Sequence, residues 1–243
     1  MSTTTPVTDS TASRPGLVAP SWHTVLLIAI LLVLSFGGAD SQHGFAQKTG
    51  RLAFYLITMA VELLMVGYVA WGIHQTSTSL GDLIGGRWNS KEDFLLDVVI
   101  AVGFWVVSAL VLAGLAWMLG LTHPQQLADA KKRVDFLMPH SPQETLVWVL
   151  LSACAGFCEE IIFRGYLQKQ FGAWLKSAWA GVVLQGAFFG ASHAYEGRER
   201  MLIIAVYGMM FGVLALLRRS LRPGMFAHAM QDSIAGLAFR LIR

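Results

Sequence analysis

The sequence predicts an all-α fold: a polytopic transmembrane helix bundle of about seven (six to eight) spans. Three observations carry this. The 243 residues are 55% hydrophobic and only 14% charged, where soluble domains carry about 25% charged residues. Mean hydropathy is +0.55, and several apolar runs approach or exceed the ~20 residues needed to cross a bilayer as helix. Alternating barrel patterning is absent. Backbone groups cannot stay unpaired in lipid, so the runs must be helical.

Residues 1–22 are rich in Ser, Thr and Pro and lack a basic region ahead of an apolar one, which predicts a disordered polar tail rather than a signal peptide. Residues 23–243 then form one transmembrane domain. The expected spans are 23–38, 52–73, 95–121, 145–171, 176–195, 201–217 and 224–241. Glu62 falls in the middle of the second. It reads either as a carboxylate paired inside the bundle or as part of a polar cavity. Leu80, Leu83 and Ile84 fit a short interfacial helix ended by Gly85-Gly86. Residues 122–142, with Lys131-Lys132-Arg133, fit a solvated or headgroup-facing helix.

The net charge is +3, and no basic-aromatic stripe marks a nucleic-acid surface, so the expected partners are membrane lipids and no nucleic acid. Loop lysines and arginines divide eight to nine between the two faces, which fixes no orientation. Cys154 and Cys158, four residues apart on one predicted helix, read as packing residues.

The fourth span carries the stretch Cys158-Glu159-Glu160-Ile161-Ile162-Phe163-Arg164-Gly165. Each charge at mid-membrane costs roughly 2.5–3.5 kcal/mol. Three cost on the order of 8–10 kcal/mol, which about twenty apolar residues barely offset. Such charges must pair, face water or do chemistry. Glu160 and Arg164 are four apart and share a helix face, so an intrahelical ion pair is expected as structural support. Glu159 points elsewhere and is left free to act as a base.

His193 follows Phe189 by four residues near the end of the fifth span, and His228 precedes Asp232 by four in the seventh. Counted from the same membrane face, Glu159 and His193 lie at about 20 and 24 Å depth, so they can meet. His228, only five residues past Pro223, looks too shallow unless the loop Arg218-Arg219-Ser220-Leu221-Arg222-Pro223-Gly224 sinks or the helix tilts.

Glu-Glu-x-x-x-Arg, Phe-x-x-x-His and His-x-x-x-Asp, in this order over about residues 145–240, resemble the three motifs of the CAAX-protease and bacteriocin-processing (CPBP, Abi) intramembrane protease family. The resemblance implies hydrolysis of a peptide bond near the terminus of a membrane-associated protein or peptide, lipidated or not, with a prenylated C-terminal motif, a bacteriocin leader and a C-terminal sorting segment all open as substrates. Glu159 would activate water, His193 would orient it or move the proton, and His228 with Asp232 would stabilise the oxyanion. Glu160, Arg164 and Phe189 would support the site. Asp232 stands where prenyl-protease members resemble Asn. Metal is left open: Glu159, His193 and His228 make a plausible zinc set, but a His-Glu-x-x-His helix is missing. The expected location is a bacterial inner (plasma) membrane. The alternative from another class is a non-proteolytic transporter or scaffold using the same buried Glu/His cluster.

Overall fold

A computed structural model describes residues 16–36 and 39–241. The described residues are almost entirely helical: α1 (Ser21–Phe36), α2 (Ala39–Thr49), α3 (Arg51–His74), α4 (Leu80–Ile84), α5 (Lys91–Met118), α6 (Pro124–Val134), α7 (Pro142–Glu159), a π-helical stretch (Glu160–Leu167), α8 (Gln168–Trp174), α9 (Ala178–Ser192), α10 (Arg198–Arg218) and α11 (Arg222–Leu241). Every expected span coincides with a helix. Four are long and apolar enough to cross a membrane: α3, α5, α10 and the continuous helix Pro142–Trp174. α1 and α9 are apolar but shorter. α11 has the length but carries His228, Gln231, Asp232 and Arg240. The chain is an all-α integral membrane bundle.

The helix Pro142–Trp174 is the axis. It starts on a capping box, with the Ser141 hydroxyl on the Glu144 amide and the Glu144 carboxylate on the Ser141 amide. α7 packs against α11 on one side and α3 on another, α9 pairs with α10, and α5 lies outside α10 and α11. The α7–α11 contact is close because it is built on glycine. A Cβ on Gly156 would lie 2.8 Å from the Ala229 amide nitrogen and from the Met225 carbonyl. Small residues let membrane helices approach at backbone distance.

The N-terminal residues differ from the expected tail. Residues 1–15 lie outside the described part, but Val18 and Ala19 are buried. Their amides donate to Gln170 Oε1 at 3.0 and 3.3 Å, and Gln170 Nε2 returns a bond to the Ala19 carbonyl at 2.8 Å. One buried side-chain amide thereby does what composition could not foretell: it pins the chain before α1 to α8. His23 adds a second tie, bonding the Tyr166 hydroxyl (2.7 Å) and the Tyr68 carbonyl (3.0 Å) while stacked on the Tyr68 ring.

The expected short helix is α4. Ser79 and Asp82 cap it reciprocally, and Gly85 ends it with φ 98°. The hydroxyl and amide of Ser79 hold the Asp82 carboxyl below the usual carboxylate range. α4 is more than interfacial, since Leu83 is buried in the central core. It holds the loop before α11: the Leu221 amide donates to the Ile84 carbonyl at 2.9 Å, and Leu221 is buried beside Leu83 and Gly165. The loop is therefore drawn into the bundle, and His228 gains the depth that residue counting denied it. α6 has no buried residue, as expected of a headgroup-facing helix.

Candidate active site

Glu159 ends α7 and Glu160 opens the π-helical stretch, so the change from i→i+4 to i→i+5 bonding falls between the two carboxylates. Short π segments inside α-helices recur at functional sites. All residues of Glu160–Leu167 are buried.

The expected ion pair is present. Arg164 Nη1 lies 3.0 Å from Glu160 Oε1, with both side chains essentially sealed. The approach is poorly aligned as a hydrogen bond, and the guanidinium nitrogens have no other hydrogen-bond partner among the described residues. The cation is instead held against aromatic rings, 4.1 Å from the Phe189 centroid and 4.8 Å from that of Phe211. Phe189 thus acts through its ring face.

Glu160 also receives His228. His228 Nδ1 lies 3.2 Å from Glu160 Oε1. Its other nitrogen, Nε2, faces Glu159 Oε2 at 3.7 Å and Asp232 Oδ2 at 3.6 Å. Asp232 thus faces His228 Nε2, which it shares with Glu159, while Glu160 makes the closer contact at Nδ1. Gly224 makes room, since a Cβ there would sit 2.9 Å from Glu160 Oε2. Asp232 is fixed through its backbone, whose carbonyl accepts from Trp148 Nε1 at 2.8 Å.

Exposure rises in order across the cluster: Glu160 1%, His228 6%, Glu159 20%, Asp232 35%. The site is therefore a cleft, sealed at Glu160–Arg164 and open on the Asp232 side, away from α4. Glu159 Oε2 is buried without a hydrogen-bond partner among the described residues, an acceptor free to take a water proton. A separate cavity of about 180 Å³ lies at the α4 face, lined among others by Trp88, Asp97, Arg218 and Arg222.

His193 follows α9 directly. Its Nδ1 donates to the Phe189 carbonyl at 2.8 Å, which leaves Nε2 as the free acceptor. It stands within electrostatic reach of Asp232 and 4.7 Å, ring to ring, from Phe189. It thus borders the cluster but does not bond Glu159 or His228 directly. Glu159, His193 and His228 do not converge as a metal set. Among the described residues the ligand atoms that do, within 4.8 Å of one another, belong to Glu62, Cys154 and Cys158. Those thiols have protein neighbours: Cys154 Sγ lies 3.8 Å from Cys158 Sγ and 4.0 Å from the Met59 carbonyl. The zinc set read from the sequence does not fit this geometry, and the chemistry below runs on the side chains alone.

Two neighbours were not among the expected site residues. Glu62 of α3, which the sequence left open as a paired carboxylate or part of a polar cavity, stands within electrostatic reach of Glu159, His228 and Asp232. Tyr195, on the turn after α9, has its ring 5.8 Å from that of His193 and stands within electrostatic reach of Glu159, Asp232 and Glu62, so its phenol is a donor beside the cluster. Glu62 had a signal, a carboxylate in mid-span; Tyr195 had none.

Fold and site together define an integral membrane protein whose core holds carboxylates and imidazole in a half-open cleft, an arrangement suited to hydrolysis. Residues 141–234 match the family model of the Rce1-like type II CAAX prenyl endopeptidases, which bears out the resemblance read from the three motifs and supports an intramembrane endopeptidase. No curated protein and no solved structure matches the chain.

Proposed function

We propose that this chain hydrolyses a peptide bond near the terminus of a membrane-associated, lipidated protein or peptide, with Glu159 as general base. One observation carries the reading: Glu159 Oε2 is buried, unpartnered and turned toward His228 Nε2 at 3.7 Å. A water that reaches Glu159 and His228 from the open side of the cleft loses a proton to Glu159 as its oxygen bonds the scissile carbonyl carbon. His228, protonated on both nitrogens between Glu160 at Nδ1 and Glu159 and Asp232 at Nε2, and the Tyr195 phenol supply donors for the oxyanion. When the C–N bond breaks, the proton on Glu159 passes to the departing amine, leaving a carboxylic acid and an amine. His193, through its free Nε2, holds the water. General-base action contributes about 10²–10⁴-fold and one oxyanion donor about 10²–10³-fold.

The test is cleavage of a fluorogenic farnesylated peptide ending in a CAAX sequence by the purified protein in liposomes. Glu159→Gln is expected to abolish turnover while melting in detergent as the wild type does. Equal turnover by the two proteins removes Glu159 from the base role.

A further inference from the structure

Glu62 lies outside the residues that match the family, and nothing in the mechanism above uses it. It sits midway along α3, where an ionised carboxyl is costly. Its Oε2 is buried and has no hydrogen-bond partner among the described residues. Its carboxylate and the sulfurs of Cys154 and Cys158 lie within 4.8 Å of one another, on the last turns of α7 before Glu159. The titratable groups that face it are Cys154, Cys158 and Glu159 on α7, His228 and Asp232 on α11, and Tyr195 after α9.

The charge balance of the cleft is unfavourable if every carboxyl is ionised. Glu62, Glu159, Glu160 and Asp232 would then carry four negative charges against Arg164 and, at most, one charge each on His228 and His193. Glu160 is committed to Arg164 and His228, and Asp232 is more exposed than Glu159 or Glu160. Among the described residues, the buried carboxyl oxygens without a hydrogen-bond partner belong to Glu62, Glu159 and Glu160. Neighbouring carboxyls in an apolar site share protons rather than both ionise.

We propose that Glu62 is a positioning residue for Glu159: the two share one proton, Glu62 carries it, and its hydroxyl holds the water that Glu159 activates. Glu159 then remains the ionised member, ready to take a proton from water. This rests on Glu159 being the base, and it extends the site to a helix of the N-terminal half.

The experiment uses full-length protein in liposomes: wild type, Glu62→Gln and Glu62→Leu. Infrared difference spectra at neutral pH are expected to show a protonated carboxylic-acid C=O band in the wild type that both variants lose. On the farnesylated CAAX peptide, Glu62→Gln, which keeps a donor, should retain most of kcat. Glu62→Leu should lose about a hundredfold in kcat with KM little changed. Absence of a lost carboxylic-acid band, or wild-type kcat in Glu62→Leu, overturns the proposal. The infrared result decides on the shared proton even if no variant cleaves the peptide. Failure of the protease reading appears separately, as equal turnover by the wild type and Glu159→Gln.

Discussion

His228 Nδ1 meets Glu160 Oε1 at 3.2 Å, the same oxygen that Arg164 Nη1 approaches at 3.0 Å. One carboxylate oxygen thus couples the buried cation to the imidazole of the cleft. Glu160, which opens the π-helical stretch, is tied to chemistry as well as to stability.

Removing either partner of that buried pair leaves an uncompensated charge. Arg164→Ala and Glu160→Gln are each expected to cost about 3–5 kcal/mol. Thermal melting in detergent checks this, and a variant as stable as wild type defeats the ion-pair account. The surviving folded fraction of Glu160→Gln should also turn over slowly, because His228 loses its Nδ1 anchor.

Asp232→Asn keeps an acceptor beside His228 and removes one charge from the open side of the cleft. Cleavage should fall by less than about tenfold, the scale of one weakened hydrogen bond of about 1 kcal/mol. A loss as deep as that of Glu159→Gln would mean that the Asp232 charge itself is needed.

Gly224→Ala places a methyl 2.9 Å from Glu160 Oε2. The carboxylate must shift or α11 must move off α7, at about 1–3 kcal/mol. Melting temperature and turnover should drop together. Gly67, where a Cβ meets nothing within 4 Å, is the control position.

His193→Ala should lower kcat by about 10²–10⁴-fold. Melting should stay near wild type, because His193 is only partly buried and its hydrogen bonds run to Phe189 and Ser192 next to it. Prolonged chelation should leave turnover unchanged, since the residues first grouped as zinc ligands do not converge. Loss on chelation with recovery on zinc addition would reverse that conclusion.

Most of the bundle was legible because lipid leaves the backbone one solution for a long apolar run. The Glu160–Arg164 pair was legible because spacing of four places two side chains on one face. The depth of His228 was not, because it depends on Leu221 docking on Ile84 and Leu83, a tertiary event without a local pattern. Nor was the π-helical stretch, whose residues would serve equally in an α-helix. Val18 and Ala19 were misjudged because a distant side chain, Gln170, satisfies their amides. The direction of Glu62 depends on how α3 is rotated against α7, which a uniformly apolar helix does not encode.

The wide turn between Glu160 and Leu167 makes the number of residues there a functional quantity. An i→i+5 turn already absorbs one surplus residue, so deleting one would let the ladder close into ordinary α-helix with the residues beyond near their present faces, whereas inserting one more would swing everything beyond by about 100°. Tyr166 would then leave His23, Gln170 would leave Ala19, and the N-terminal segment would lose its mooring while both glutamates stayed in place. A one-residue insertion here should be more damaging than a one-residue deletion.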